Sequence, residues 1–232
     1  MLSVIIPTYN EENHIGKIIS YVRAQPEAEK IDEILVVDGG STDNTVQEIQ
    51  KLNCKLLISP QKGRAAQMNY AAKTASTPVL YFLHADSFPP PDFISLIGKQ
   101  LEKGADAGCF HLKFDHRHRF INTVALLTHL NTQFIRFGDQ SLFIRKTLFE
   151  KIGGFDESHI VMEDHEIIRR IKKHGRFALI NQPIITSARK FLENGPYKLM
   201  FIYLYIYTLY YLKYPQKTLL SQYRKLIGNG KL

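Results

Sequence analysis

The sequence predicts an α/β fold in which a mostly parallel central sheet is flanked by helices. Short, continuous apolar segments alternate with segments of helical periodicity through the first hundred residues. Continuous apolar segments are typical of parallel strands that are covered on both faces, and their alternation with helices favours βαβ units. The chain ends in a tyrosine-rich, basic segment that predicts a helical C-terminal tail.

The elements of the first half each have their own signal. Residues 2–7 predict the first strand, and Asn10 is predicted to cap the helix that follows it. Four apolar residues of that helix are spaced as on one helix face: Ile15, Ile18, Ile19 and Val22. Three more strands and two more helices are expected, the strands at residues 34–37, 56–59 and 79–83 and the helices at 42–52 and 65–75.

The second half is less regular. Strands are expected at residues 105–114 and 141–145. A helix is expected at residues 163–174, because three isoleucines fall on one face and Gly175 supplies a stop signal.

Composition narrows the class of protein. The 232 residues fit one large domain or two small ones, and a net charge of +8 favours an anionic partner, although a basic solvated surface gives the same number. No nucleic-acid-binding motif is present, so nucleic-acid binding is not predicted. A dinucleotide dehydrogenase is not predicted either, because no G-x-G-x-x-G follows an expected strand. Two cysteines without metal-type spacing and an N-terminus without signal-peptide features indicate a cytoplasmic protein.

The tail, residues 191–232, changes character. Its apolar stretch, residues 199–212, is shorter than the roughly 20 residues that cross a bilayer. Tyrosines and lysines beside apolar residues suit a membrane interface, so peripheral membrane contact through residues 197–232, at the inner face, is one interpretation. Packing on the core or in a homodimer is the other.

Two carboxylates stand where expected strands end. Asp38 and Asp86 each close an apolar segment, and the second does so within LYFLHADS, residues 80–87. The carboxyl ends of parallel strands share one edge of a sheet, and ligands bind there. The two side chains could therefore hold a ribose or base and a divalent cation. Each alone is more typical of a turn or a helix cap.

Five segments in order are far more specific than either aspartate. They are PTYNEE (7–12), VVDGGSTDNT (36–45), KGRAAQMNYA (62–71), HAD (84–86) and MEDHE (162–166). With FGDQ (137–140) and GGFD (153–156), they make the chain resemble the family-2 glycosyltransferases, which have the GT-A, Rossmann-like fold. The resemblance covers residues 1–190 and implies a nucleotide-sugar half (1–100) and an acceptor half (101–190).

The resemblance implies a nucleotide-diphosphate sugar as donor, most simply a UDP-sugar. The implied donor-binding residues are Pro7, Tyr9, Glu11, Asp38, Lys62, Arg64, His84, Asp86 and Arg189. Among them, Asp86 corresponds to the last aspartate of the family's Asp-x-Asp motif and would hold Mg²⁺ or Mn²⁺. His84 stands where that motif has its first aspartate, which is a departure from the pattern. Lys62 and Arg64 also fit ordinary solvated charges near a helix start.

The resemblance also implies the chemistry. Asp164 corresponds to the general base of inverting members, and Glu163 would orient loops or the acceptor. Both acids also suit a helix N-terminus on electrostatic grounds alone. The resulting expectation is an inverting, metal-dependent sugar transferase whose acceptor is unknown. A lipid-linked or membrane-proximal acceptor is one interpretation. A nucleotidyltransferase and a non-catalytic nucleotide-binding protein of the same fold are the alternatives.

Overall fold

The computed structural model describes residues 1–52, 54–130, 132, 135–136 and 138–227. Within these ranges one sheet of eight strands forms, in the order β3-β2-β1-β4-β7-β6-β8-β5. The strands are β1 (Leu2–Thr8), β2 (Ile31–Asp38), β3 (Lys55–Ile58), β4 (Val79–Phe82), β5 (Ser87–Phe88), β6 (Ala107–Phe114), β7 (Leu142–Arg145) and β8 (Phe177–Thr186).

The predicted α/β fold is confirmed, and the sheet is mixed. Strands β3, β2, β1 and β4 run parallel, as the sequence predicts. The short β7 lies antiparallel between β4 and β6, which restores the direction of β6, and β8 runs parallel to β6. The carboxyl ends of five strands therefore lie at the same edge of the sheet, those of β1, β2, β4, β6 and β8.

Ten α-helices occur in the described ranges. They are α1 (Ile15–Arg23), α2 (Thr45–Gln50), α3 (Arg64–Thr74), α4 (Phe93–Glu102), α5 (Arg119–Leu127), α6 (Lys146–Lys151), α7 (Glu163–His174), α8 (Arg189–Asn194), α9 (Pro196–Tyr211) and α10 (Gln216–Ile227). The helix predicted at 163–174 is confirmed with its bounds, and the isoleucines predicted to face the core are buried.

Both faces of the sheet are covered. In β1, Val4 and Ile6 belong to one buried cluster, whereas Ile5 between them belongs to the cluster on the other face. The four apolar residues predicted to form one face of α1 are all buried in the first cluster. This two-sided burial explains why the central strands are apolar throughout.

The prediction that Asn10 caps α1 is wrong. The helix begins at Ile15, while Asn10 has a positive φ of 54° and its Oδ1 accepts the backbone N–H of Thr42 at 2.7 Å. The same cross-links shorten the helix predicted at 42–52, because the Asn44 N–H is bound by the Glu12 carboxylate before α2 starts at Thr45.

The tail packs on the rest of the chain. Leu199 of α9 joins the main buried cluster, and α9 and α10 share a further cluster that includes Ile202, Ile206, Leu219 and Tyr223. Among the helices of the described ranges, none has both the length and the apolar character needed to cross a membrane. The domain boundary at residue 190 stays a prediction.

Candidate active site

The carboxyl ends of β1 and β2 are tied together by a buried amide. Gln67 of α3 donates through Nε2 to the backbone oxygens of Thr8 at 2.8 Å and Val37 at 2.7 Å. Gly39 leaves room for this amide, because a Cβ at that position would lie 2.9 Å from Gln67 Nε2. The two strand ends therefore form a fixed floor at the edge where α/β folds bind ligands.

The Asp38 carboxylate is buried and stabilises its own loop. It accepts the backbone N–H groups of Gly40 at 2.8 Å and Ser41 at 2.9 Å, together with the Ser41 hydroxyl. The Asn10 N–H in turn donates to Ser41 Oγ at 2.8 Å. Any hydrogen bond from a nucleotide base would therefore share an acceptor that the loop already uses.

The first loop reaches toward the second half of the sheet. Pro7 is buried in β1, whereas Tyr9 is 42% exposed at the rim. Glu11 contacts His14 at 3.1 Å, and its Oε1 lies 3.8 Å from Arg189 Nη2 at the start of α8. Glu11 thus connects the loop after β1 with the turn after β8.

His84 pairs with a carboxylate that is distant in sequence. Its Nδ1 lies 3.0 Å from Asp139 Oδ1. Burial and Arg64 lower the pKa of His84, but the Asp139 hydrogen bond and the charges of Asp139 and Asp164 outweigh them and raise it. Desolvation raises the pKa of Asp139, but the His84 hydrogen bond and nearby cations lower it to about 2. Both shifts favour the charged form of the group concerned, so the contact stabilises the ionic form of the pair.

Asp86 lies among other charges at the end of β4. Burial and the charge of Asp139 raise its pKa, and Glu11 adds to this effect. His84 and Arg189 act in the opposite direction but do not cancel it. Burial is the largest of these effects, so the Asp86 carboxyl is largely shielded from water and lies among charges of both signs.

Two acids at the start of α7 face Arg64 at the start of α3. Arg64 Nη1 donates to Glu163 Oε1 at 3.1 Å and lies 3.8 Å from Asp164 Oδ2. Burial and the adjacent Asp164 raise the pKa of Glu163 to about 7, against the effect of Arg64. Burial lowers the pKa of Arg64, but the surrounding carboxylates, led by Glu163 and Asp164, raise it well above its ordinary value.

Gly138 fits between His84 and Asp164. A Cβ at position 138 would overlap Asp164 Oδ2 and lie 2.8 Å from His84 Cε1. A cavity of about 10 Å³ lies beside these residues, lined by Met68, Phe82, His84, Gly138, Ser141, Leu142, Asp164, Ile167 and Ile168. The absence of a side chain at Gly138 therefore lets the two functional groups approach each other.

A further cation was not predicted from the sequence. Lys190 follows Arg189, and its charge lowers the pKa of Asp139. Burial, with Arg64, lowers the pKa of Lys190 itself. Its place directly after Arg189 was the available signal. Lys62, by contrast, is an exposed residue just before α3.

The tail helices contact the start of α7 from the other side. Tyr211 of α9 and His165 are joined at 2.7 Å through the phenol oxygen and Nε2. Burial raises the pKa of Tyr203 and of Tyr223, and Asp139 raises both values further while Arg64 lowers them. The tail helices therefore border the cluster of charged side chains that includes His84 and Arg64.

Most of the predicted residues converge. Those that touch or electrostatically influence one another are Glu11, Arg64, His84, Asp86, Glu163, Asp164 and Arg189. Phe137 of the FGDQ segment lies outside the described residues. Asp139 of that segment, which was not predicted as a donor-binding residue, is central to the cluster through His84.

The side chains around Asp86 that could bind a metal ion do not form a complete metal site by themselves. Across the described ranges, no group of three His, Cys, Asp or Glu side chains is arranged to hold a cation. Mg²⁺ usually keeps waters and binds through one or two carboxylates plus substrate phosphates. A single carboxylate at Asp86, close to Asp139 and Glu11, fits a site of this kind, in which the substrate completes the coordination.

Comparison with known proteins assigns the chain to a family of sugar-transferring enzymes. The chain belongs to glycosyl transferase family 2, whose sequence pattern matches residues 3–155. One relative, an uncharacterized glycosyltransferase of Mycobacterium tuberculosis, is 28% identical over 192 residues, or 79% of this chain and 71% of the relative.

Solved structures share the fold. The mannosyltransferase PcManGT of Pyrobaculum calidifontis, in complex with GDP-Man and Mn²⁺, has a TM-score of 0.68 at 22% identity over 99% of this chain and 65% of its own. S. aureus TarS 1–349, in complex with UDP-GlcNAc, has a TM-score of 0.65 at 19% identity over 80% of this chain and 58% of its own. The chain therefore has the GT-A fold and spans about three fifths of these two solved chains.

Proposed function

We propose that this glycosyltransferase moves a sugar from a nucleotide-diphosphate sugar to an acceptor hydroxyl with inversion, using Asp164 as the general base. The observation that carries the proposal is the contact of Arg64 with both Glu163 and Asp164, at 3.1 Å and 3.8 Å. A cation suited to phosphate oxygens and a carboxylate suited to proton abstraction are thereby adjacent.

The donor is bound along the edge formed by the ends of β1, β2 and β4. Pro7, Tyr9 and Asp38 serve the base and ribose, while Glu11 and His84 border the diphosphate. Arg64 and Arg189 contact the diphosphate oxygens, for which the planar guanidinium is well suited, and Lys62 adds a solvated charge. A UDP-sugar is the proposed donor. GDP-sugars are the comparison class, because one solved relative holds GDP-Man and another UDP-GlcNAc.

Asp86 is proposed to hold Mg²⁺ or Mn²⁺ together with the donor. Burial and the charge of Asp139 raise its pKa, and a divalent cation beside the carboxylate would oppose both effects. When bound, the cation would stabilise the charge that develops on the departing diphosphate. His84, paired with Asp139, contributes a positive charge on the same side.

The chemical step follows from the positions of the acids. The acceptor oxygen forms its bond to the anomeric carbon as the bond from that carbon to the diphosphate oxygen breaks. Asp164 takes the proton from the acceptor hydroxyl. Glu163, buried and hydrogen-bonded to Arg64, holds the start of α7 in place beside the reacting groups. Attack from the side opposite the leaving group gives the inverted product.

The proposal keeps the predicted division into residues 1–190, which hold the donor and acceptor, and the tail. It also keeps a cytoplasmic location, for which the two unpaired cysteines are the support. Membership of the family argues against a nucleotidyltransferase. A non-catalytic binding protein is the alternative that an activity assay must exclude.

The test is a turnover assay with a panel of UDP-sugars and GDP-sugars in the presence of Mn²⁺. Release of the nucleoside diphosphate is measured with water in place of the acceptor, so that the sugar passes to a water oxygen, for the wild type, for Asp164→Asn and for the exposed control Asp92→Asn. We expect one nucleotide class to be turned over by the wild type and the control, and not by Asp164→Asn. Absence of turnover with every donor, or equal rates for all three proteins, would contradict the proposal.

A further inference from the structure

Helix α9 has two different faces. Its inner face is buried through Leu199, Ile202, Ile206 and Leu209. Its outer face carries large side chains at helical spacing that remain exposed to solvent. They are Tyr197 (61%), Phe201 (74%), Leu204 (59%), Tyr205 (43%), Tyr211 (43%) and Leu212 (65%), with Tyr214 (50%) just beyond the helix end. We call this set the outer face of α9.

Such a face is unusual on a protein surface. Single exposed apolar residues are normal, but a row of them along one helix marks an interaction site. Together with the exposed Thr208, these positions recur at intervals of three and four residues, so they form one continuous stripe along the helix axis. The sixteen residues of α9 span about 24 Å. The stripe is therefore long enough to form an extended contact.

The charged side chains that flank the stripe in the sequence, from residue 194 onward, have one sign. No aspartate or glutamate follows Glu193 in the sequence. Lysines and an arginine occur on both sides of the stripe, and they are exposed: Lys198, Lys213, Lys217, Arg224 and Lys225. An exposed apolar stripe flanked by cations complements a surface that is apolar below and anionic above, as a bilayer containing acidic phospholipids is.

The charge also separates a bilayer from a second copy of the chain. A two-fold symmetric contact through the outer face of α9 would bring identical patches together. Lys198, Lys213 and Lys217 would then approach cations of the same set, and like-charge juxtaposition disfavours association. Residues 194–232 contain no aspartate or glutamate that could compensate them.

We infer that the outer face of α9 docks in the interface of an anionic phospholipid bilayer, with the helix axis along the membrane plane. The inner face stays packed on the protein, so the helix lies on the membrane and does not cross it. Phe201, Leu204 and Leu212 enter the region between headgroups and acyl chains. The flanking lysines contact lipid phosphates.

The docked helix is linked to the site. Tyr211, which belongs to the outer face, reaches His165 Nε2 at 2.7 Å, and His165 directly follows Asp164. Docking would therefore hold the start of α7 close to the membrane surface and favour an acceptor presented there. Only this last step depends on the proposed function; the docking itself does not.

The test is co-sedimentation of the full chain with vesicles. One set consists of phosphatidylcholine alone and the other of phosphatidylcholine and phosphatidylglycerol in equal amounts. We expect binding to the anionic vesicles, and a loss of about tenfold or more in partition for the triple variant Phe201→Ser/Leu204→Ser/Leu212→Ser. Ile58→Ser, a change at an exposed apolar residue of β3, is the matched control and should bind as the wild type does.

A charge variant tests the second element. Replacing Lys198, Lys213 and Lys217 by glutamate should abolish the preference for anionic vesicles, whereas the same change at the exposed Lys73, Lys99 and Lys103 should weaken it much less. Equal loss in both charge variants would show only a general charge effect and overturn the docking face.

Three further outcomes overturn the inference. The first is a wild type that binds neither vesicle, and the second is a serine variant that binds as the wild type does. The third is a wild-type dimer in light scattering that is absent in the serine variant. The last result would assign the face to a second copy. Titration of nucleotide with Mn²⁺ on the same proteins separates the two proposals: vesicle binding without nucleotide binding would reject the proposed function and leave the docking face standing.

Discussion

Arg64 and Glu163 join the two halves of the site: the guanidinium Nη1 of Arg64 donates to the Glu163 carboxylate at 3.1 Å across 99 positions of sequence. The bond connects the first residue of α3 with the first residue of α7. Since Asp164 is the next residue, the position of the proposed base is coupled to the proposed phosphate-binding cation. Donor binding is therefore expected to affect the position of the Asp164 carboxylate, and the position of that carboxylate is expected to affect donor binding.

Asp86→Ala should remove the metal dependence of donor binding. The substitution removes the one carboxylate that is proposed to hold the cation together with the donor phosphates. We expect the affinity for the nucleotide in Mn²⁺ to fall at least about tenfold, to the value measured with chelator. Calorimetric titration with and without Mn²⁺ measures this, with Asp92→Ala as the control. An Asp86→Ala protein that still gains affinity from Mn²⁺ would place the metal elsewhere.

Asp164→Asn should separate binding from chemistry. The amide keeps the size of the side chain but cannot take a proton, so the transfer rate should fall about 10²–10⁴-fold. Nucleotide affinity should change little, because Arg64 keeps its bond to Glu163. Single-turnover kinetics and nucleotide titration on one preparation measure both quantities. A fully active variant would show that another residue is the base.

Gly138→Ala should impair turnover without unfolding the protein. A Cβ there would overlap Asp164 Oδ2 and crowd His84 Cε1, so the carboxylate and the imidazole must separate. We expect kcat to fall more than donor affinity, as for a positioning residue. Gly98→Ala in α4 is the matched control, because its Cβ would meet nothing within 4 Å and should stabilise the helix by about 0.5–1 kcal/mol. Equal kcat values for both variants would show that Gly138 does not help to position Asp164 and His84.

His165 should make stability depend on acid pH. Burial and Arg169 lower its pKa to about 4, against the effect of Glu166, and Tyr207, Tyr210 and Tyr211 of α9 surround the ring. Because the pKa is lower in the folded protein, the unfolded chain takes up the proton at a higher pH. The contribution of neutral His165 to the free energy of unfolding is therefore complete above pH 6.5 and is lost as the pH falls through about 4.

The size of this effect is at most about 3 kcal/mol. Denaturant unfolding across that pH range should show a steeper loss of stability in the wild type than in His165→Phe, which does not titrate. Other acids titrate equally in both proteins, so the difference reports His165. Parallel pH profiles for the two proteins would rule out this role for the residue.

Much of the first half of the fold could be predicted from local signals. Apolar runs and the spacing of Ile15, Ile18, Ile19 and Val22 identify β1 and α1, because burial on both sides of a sheet and on one side of a helix leaves distinct periods. The helix start at Asn10 was wrong for a non-local reason: the side chain bonds to Thr42, more than thirty positions away.

The second half depends on contacts that leave no local pattern. Strand β8 was missed because Asn181, Gln182 and Pro183 interrupt its apolar residues. Its register with β6 shifts between Phe110, which pairs with Ile180, and His111, which pairs with Pro183. The short β7 lies antiparallel between β4 and β6, a direction that its four residues cannot reveal.

The candidate site divides in the same way. Acids and cations at strand ends and helix starts were predictable, because sequence fixes their place at one edge of the sheet. The pairing of His84 with Asp139 was not, since the two lie 55 positions apart and no spacing rule connects them. Lys190 and Gly138 were also missed, because their contributions depend on the side chains that fold against them.

Calorimetric titration of the wild-type chain with UDP and with GDP, each with and without Mn²⁺, tests the central claim most directly. We expect one nucleotide, UDP, to bind in the presence of Mn²⁺ and the binding to be lost when the metal is removed. Failure of both nucleotides to bind, or binding that is the same with and without the metal, would contradict a metal-assisted donor site at Asp86.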